Sequence, residues 1–421
     1  MVKITIQNVR VFDSEVIQDP KDVVITHSSG SIVDPMNDGS AEDTSDVVID
    51  GQGCTLVPGF IDVYANIKGA NAALGTFASH GITTVIDLSS NTQQCQALRV
   101  YAAGRTRLPT VLTSGTEAAP ARGFQPHLYD NPDEEVIRTP EDAVAFVSAR
   151  ATGPDRADFI KVVVDLHSLD DSLLRTIVDA AHAHKKLTIA RTSGKASYER
   201  AMRAGFDIFV HAPLDAPLDP ELARNMAAQQ KILVPTLNMM RDRVAGSSPG
   251  AGQPSTLEER IPPGFPVPGI AGNKSDKNND DDDDRVADRG SRIHSDPGIV
   301  KGNTYNNAVE SVRAAYEAGV TICAGTTANV IPGSQIPFGQ SLHEELRLLV
   351  EAGMSELDVL RSATCVAATA FRLKDRGIIR GGLRADLVLI DGDPLEDISA
   401  TRRIKKIWIQ GEEVEPEHQG R

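Results

Sequence analysis

The 421-residue sequence predicts an α/β protein: a (β/α)8 TIM-like barrel with a small β-sandwich domain formed from both chain ends. Three observations carry this. From residue 58 to about 370, short apolar runs alternate with alanine-rich stretches of helical spacing, the pattern of parallel strands joined by helices. Both ends show instead short alternating runs separated by Gly, Ser and Asp. Aromatic residues make up only 4% of a chain rich in aliphatics and alanine, which suits an α/β scaffold better than an all-β one.

The elements follow in order. Residues 1–57 carry Lys3–Ile6, Val23–Ile25 and Val47–Ile49 as short strands of the first half-domain. The barrel strands are expected at Thr83–Asp87, Pro109–Leu112, Phe159–Val164, Leu187–Ala190, Ile208–His211, Ile232–Pro235 and Val320–Ala324. Helical spacing falls between them at Ala143–Ala149, Leu173–His184 and Tyr198–Ala204. Residues 371–421 return to strands, at Gly381–Ile390 and Ile404–Ile409, and complete the β-sandwich. Residues 244–300 interrupt the barrel with a Pro-, Gly-, Ser- and Asp-rich insertion containing five consecutive aspartates, Asp280 to Asp284. So polar a segment has too little apolar surface to order itself, and insertions after barrel strands overhang the site; it reads as a flexible insertion or a lid.

Charge and composition exclude several classes. A net charge of −15 argues against nucleic acid or an anionic membrane as partner. The start, Met-Val-Lys-Ile-Thr-Ile, reads as a strand rather than a signal peptide, and no apolar run is long enough to span a bilayer. Cys54, Cys95, Cys323 and Cys365 lie far apart, as buried reduced thiols would, so a cytoplasmic protein is expected. The Asn273-Lys-Ser triplet is a chance match in that setting.

The most informative stretch is Val57-Pro58-Gly59-Phe60-Ile61-Asp62-Val63-Tyr64-Ala65-Asn66. It resembles the Pro-Gly-Phe/Leu-Ile-Asp-x-His-x-His segment ending the first barrel strand of the amidohydrolase superfamily, in its imidazolonepropionase-like and prolidase-like branch. Further segments resemble the family in the same order: Ala157–Lys161, Ala204–His211, Leu342–Ser355 and Ala385–Leu395. The resemblance implies a metal centre in which two histidines of the first strand, a carboxylated lysine, further histidines and an aspartate hold two divalent ions.

Against that implied ligand set, this chain departs at most positions. Tyr64 and Asn66 stand where the first two histidines would be, Arg191 and Ser193 where the next histidines lie, and Thr327 where the aspartate lies. Only Lys161 and His211 remain, too few for a binuclear centre, so neither metal nor other cofactor is expected. Lys161 is then a plain amine or ammonium, and Arg191 adds a permanent cation with five donors. The expected pocket is cationic, with no carboxylate in the set, able to bind a substrate carboxylate or polarise a carbonyl.

Each residue also has a plainer reading. Tyr64 can fill vacated space, Asn66 can satisfy backbone groups, Thr327 can be structural, and His211 can be a neutral, hydrogen-bonded relic. A buried Lys161 or Arg191 must meet a substrate, an acid or water. His343 is either a ligand-binding residue or a helix residue behind the site, and His182 and His184 face solvent. The catalytic candidates are therefore Lys161, Arg191, Tyr64 and His211; the substrate-binding candidates are Asn66, Ser193, Thr327 and His343.

The function expected is a metal-independent enzyme acting on a small molecule without hydrolysis: an isomerase, lyase, cyclase or pericyclase, with a homodimer possible. Two alternatives stay open. One is a non-catalytic binding protein on the same scaffold, although the ligand positions hold polar rather than apolar replacements. The other is a residual hydrolase using a single metal on His211 with His343 or His127, or a metal-free base such as Tyr64 or Lys161. No GxSxG or SxxK motif supports a serine nucleophile.

Overall fold

The computed structural model describes residues 2–34, 46–120, 136–153, 156–164, 169–192, 194–246, 304–331 and 334–417. Ser193, His127 and nearly all of the 244–300 insertion lie outside these residues.

The N-terminal part forms β1 (Lys3–Phe12), β2 (Ile17–Thr26), β3 (Ser31–Ile32), β4 (Val47–Asp50) and β5 (Cys54–Pro58). The middle opens with β6 (Phe60–Ala65), α1 (Ala73–Ser79), β7 (Ile82–Asp87), α2 (Thr92–Ala102) and β8 (Thr110–Thr113). The short β9 (Ala119–Pro120) and β10 (Val136–Ile137) follow, then α3 (Pro140–Thr152), β11 (Phe159–Val163), α4 (Asp171–Ala183), β12 (Leu187–Arg191) and α5 (Lys195–Ala204). Next come β13 (Ile208–Val210), α6 (Pro220–Ala228), β14 (Ile232–Val234), α7 (Leu237–Gly246), α8 (Tyr305–Glu317) and β15 (Thr321–Ile322). Three helices, α9 (Gln340–Glu351), α10 (Glu356–Ser362) and α11 (Cys365–Ala370), precede β16 (Leu387–Asp391), β17 (Ile404–Ile409) and β18 (Glu412–Val414).

The chain ends do combine. One eight-stranded sheet runs β18-β17-β16-β5-β1-β2-β3, with β4 also paired to β1. Its central seam is β5 against β16, antiparallel over five residue pairs from Leu387–Pro58 to Asp391–Cys54. The strand expected at 381–390 starts only at Leu387: Gly382, at a φ of 81°, turns the chain, and Ala385 N–H donates to Gly30 instead. Trp408, fully buried, packs among the aliphatics of this sheet.

The two larger sheets of the middle of the chain are parallel. Strands β6-β7-β8 form one sheet and β11-β12-β13-β14-β15 another. Parallel bridges join the edges of the two, Ala65 to Ala328 and Ala118 to Val162. Tyr64 O accepts N–H groups from Thr326 (3.1 Å) and Thr327 (2.7 Å), and Ala118 N–H donates to Lys161 O at 2.9 Å. Helices cover the outside because strand–helix repetition leaves no other face to bury. The inward face carries Ile61, Val63, Ile86, Phe159, Ile189, Ile208, Val210 and Val234 as a second apolar cluster.

Period-two alternation aims the candidate side chains. Lys161 shares a face with Phe159, and Arg191 shares one with Leu187 and Ile189, so both polar heads follow inward-facing apolar residues. In β6 the register with β7 slips between Asp62 and Ala65. That irregularity turns Tyr64, as well as Val63, into the inner cluster. Backbone strain gathers where these strands end: Lys68, His211, Thr236 and Thr327, none of them glycine, have φ values of 43°, 75°, 53° and 58°. Left-handed conformations at β-branched residues such as threonine are costly and persist only where the surroundings impose them.

Candidate active site

Lys161 is the hub. Its side chain is 2% exposed, and Nζ donates to Tyr64 Oη at 3.1 Å and to the Leu88 carbonyl at 2.7 Å. It also pairs with Glu117 Oε2 at 2.9 Å. Two of the ammonium's hydrogens thus have hydrogen-bond partners, and Glu117 adds the opposite charge as an ion pair. Burial works against the charge, but Glu117 and then Tyr64 outweigh it, and the Lys161 pKa lies above its ordinary value. Lys161 is therefore held in its ammonium form.

The partner carboxylate corrects one expectation. The cationic set was expected to lack a carboxylate; Glu117 supplies it. Burial pushes the Glu117 pKa up, Lys161 and then Arg191 pull it down, and the balance lies below the ordinary range, so Glu117 is ionised. Its sequence signal was position alone: Ser114-Gly115-Thr116-Glu117 follows β8, where a barrel presents its site.

Tyr64 links the hub to His211. It is 3% exposed, and the two rings lie with centroids 5.4 Å apart, tilted by 37°. His211 follows β13 and is buried; Nδ1 lies 2.9 Å from Thr236 Oγ1, while Nε2 is buried with no hydrogen-bond partner. Burial, then the Arg191, Arg243 and Lys161 charges, hold the His211 pKa well below its usual value, so the ring is neutral. Its carbonyl accepts from Tyr198 Oη at 2.6 Å, which anchors the left-handed backbone.

Two more cations complete the mouth. Arg191, half-buried at the end of β12, acts electrostatically on Glu117, Lys161, His211 and Lys68. Lys68, on an exposed turn after β6, was not anticipated. Crowding by surrounding atoms lowers its pKa, with Glu117 and Asp87 opposing and Lys161 and Arg191 reinforcing the shift.

The remaining predicted residues divide. Asn66 is near the cluster's floor: its N–H donates to Ala328 O at 2.8 Å, and its buried Oδ1 has no partner. Thr327 donates its hydroxyl to Thr326 O at 2.5 Å and its N–H to Tyr64 O, so its polar groups serve the backbone. His343 lies elsewhere. Its Nε2 meets His80 O at 3.1 Å and its ring packs edge-on against Phe60, at the opposite end of β6 from Tyr64. Asp62, fully buried beneath Tyr64, accepts from Tyr64 N, Thr326 N and Thr326 Oγ1, and burial raises its pKa to about 7. Among the described residues no three His, Cys, Asp or Glu side chains converge as a metal site.

The model of the amidohydrolase family matches residues 55–414. The chain belongs to the amidohydrolase family. Its fold is that of solved family structures: a Xaa-Pro dipeptidase with bound methionine aligns with a TM-score of 0.74 at 22% identity, covering 98% of this chain and 99% of that one. A. niger ochratoxinase aligns at 0.71 and 16% identity, covering 100% and 97%. Among curated proteins, adenine deaminase 2 of Desulfotalea psychrophila is 42% identical over 71 residues, 17% of this chain. That match spans only 11% of the deaminase's own length. The fold and the two-ended sheet are thus those of the family's solved structures.

Proposed function

We propose that this family member is a metal-independent enzyme that shifts a proton on a small carbonyl- or carboxylate-bearing molecule, an isomerase-type reaction. The observation that carries the reading is the Glu117–Lys161–Tyr64–His211 chain. Where the family's two-metal centre needs neutral imidazoles and a carbamate, these positions offer an ion-paired ammonium, a phenol and one imidazole. A guanidinium and two ammonium groups around them would repel divalent ions, so the residues present do not fit that centre.

The same residues suit proton transfer. Lys161, held by Glu117, donates to Tyr64 Oη, which leaves the phenol O–H directed to a ligand. That O–H can hydrogen-bond a carbonyl oxygen as it gains negative charge. In the tautomer whose Nδ1–H donates to the Thr236 hydroxyl, neutral His211 offers Nε2 to take a proton from carbon and return it to a neighbouring one. Arg191 and Lys68 bring positive charge for a ligand carboxylate. Substrate and product are isomers, so no water or oxidant is consumed.

The test is direct. Protein stripped of metal by chelation is screened by thermal shift against small oxo-acids, and binders are incubated in D2O. Deuterium uptake into carbon without added metal, lowered about 10²–10³-fold in kcat by Tyr64→Phe or His211→Gln, is the expected result. Turnover that appears only with zinc or manganese and yields hydrolysis products overturns it.

A further inference from the structure

Glu345 is buried to 0% exposure on α9, and no step above uses it. Its two oxygens accept the consecutive backbone N–H groups of Leu237 (2.7 Å) and Asn238 (2.8 Å), the first residues of α7. Thr236 immediately precedes them, and its carbonyl accepts from Met240 N–H at 3.0 Å, so it stands at the N-cap of α7. A threonine there ordinarily turns its hydroxyl back on its own helix to satisfy such N–H groups. Thr236 instead holds its hydroxyl 2.9 Å from His211 Nδ1, with its backbone at a φ of 53° that β-branched residues avoid. Glu345 performs the capping that Thr236 has given up.

We infer that Glu345 is a positioning residue: by clamping the start of α7 it holds the strained Thr236 turn, and through the Thr236 hydroxyl it fixes the tautomer and orientation of His211. The significance of His211 rests on the function proposed above, but the clamp itself is a statement about one imidazole. The two Glu345 oxygens hold two successive peptide planes, Thr236–Leu237 and Leu237–Asn238, and the first of these carries the Thr236 carbonyl and so sets the direction from which its side chain leaves. Without the clamp, the left-handed threonine relaxes toward an extended N-cap whose hydroxyl caps its own helix. His211 Nδ1 then loses its neighbour, and nothing else described holds a hydrogen on one ring nitrogen.

The experiment is 15N NMR of the histidine rings, with His211 assigned by its loss in His211→Gln. In the parent, His211 gives one neutral tautomer. In Glu345→Ala its nitrogens move toward tautomer-averaged positions while the exposed His182 ring stays put, and Glu345→Gln, which keeps one acceptor, lies between. Thr236→Val reproduces the shift with Glu345 intact, and Thr236→Ser restores the parent spectrum. If Glu345→Ala lowers the melting temperature but leaves His211 unchanged, Glu345 is only a helix cap and the inference is overturned. Should Glu345→Ala not fold, an unchanged His211 in Glu345→Gln overturns it equally. Retained turnover in His211→Gln, by contrast, sinks the proposed reaction and leaves the clamp standing.

Discussion

At the residue scale, the Glu117–Lys161 ion pair sits at the centre of the candidate site. A buried ion pair adds little net stability, but deleting one partner strands the other charge. Glu117→Gln and Lys161→Met should each destabilise by roughly 3–5 kcal/mol, and the double variant should recover most of that loss. Urea unfolding of the four proteins checks the coupling; purely additive losses would mean the pair is not formed. His211 gives a pH prediction. Its folded pKa is depressed, so below about 6.5 the unfolded chain takes up a proton that the native ring refuses. This residue's contribution is present above 6.5 and is lost as pH falls, at up to about 1.4 kcal/mol per pH unit until the folded pKa is reached. His211→Gln should flatten the parent's acid-side loss of stability between pH 6.5 and 5, measured by denaturation midpoints.

At the element scale, the junction of β6 with the segment after β15 positions Tyr64. Gly325 lies so close that an added Cβ would meet Val234 Cγ1 at 2.6 Å and Tyr64 Cβ at 2.9 Å. Gly325→Ala should therefore displace β6, cost about 1–3 kcal/mol, and loosen Tyr64 from Lys161. A drop in turnover beyond what the folded fraction explains is the expected readout; full activity in the folded protein would separate Tyr64's placement from this contact. Elements were also where sequence patterning worked best. The runs at Phe159–Val164, Leu187–Ala190 and Ile404–Ile409 became strands because apolar period-two runs bury a face wherever they pair. The stretch at 381–386 failed because its glycines and Arg384 answer to turn geometry and to Asp386, not to a ladder.

At the scale of the whole molecule, the sheet from the chain ends and the parallel strands share one core. Val57, Val388 and Ile390 pack in the same apolar cluster as Phe60, Leu74 and Ile82. The sheet supports the parallel strands from the end where His343 and Phe60 lie, away from the Lys161–Tyr64–His211 cluster. Trp408→Ala should therefore cost about 3–5 kcal/mol yet leave kcat of the folded protein unchanged. Calorimetry beside steady-state turnover checks both halves; a lowered kcat at full folding would tie the sheet to catalysis. Among the described residues, no helix is long and apolar enough to cross a membrane.

What the sequence determined by itself was the scaffold and the identity of several site residues. Strand–helix alternation and ordered motifs depend on local spacing, which one dimension records in full. Lys161, Arg191, Tyr64 and His211 were legible through the family resemblance, because each stands where that resemblance implies a metal ligand. The partnerships were not. Glu117 lies 44 residues before Lys161, and Glu345 lies 109 residues after Thr236. Nothing in either local pattern names the partner. Only the closing of distant strands and helices around one buried space decided that Lys161 is an ammonium ion-paired with Glu117, that His211 is neutral with an unpartnered Nε2, and that His343 belongs to the other end of the strands. Burial makes those decisions, because a charge or a polar atom removed from water must be satisfied by whatever the fold brings beside it.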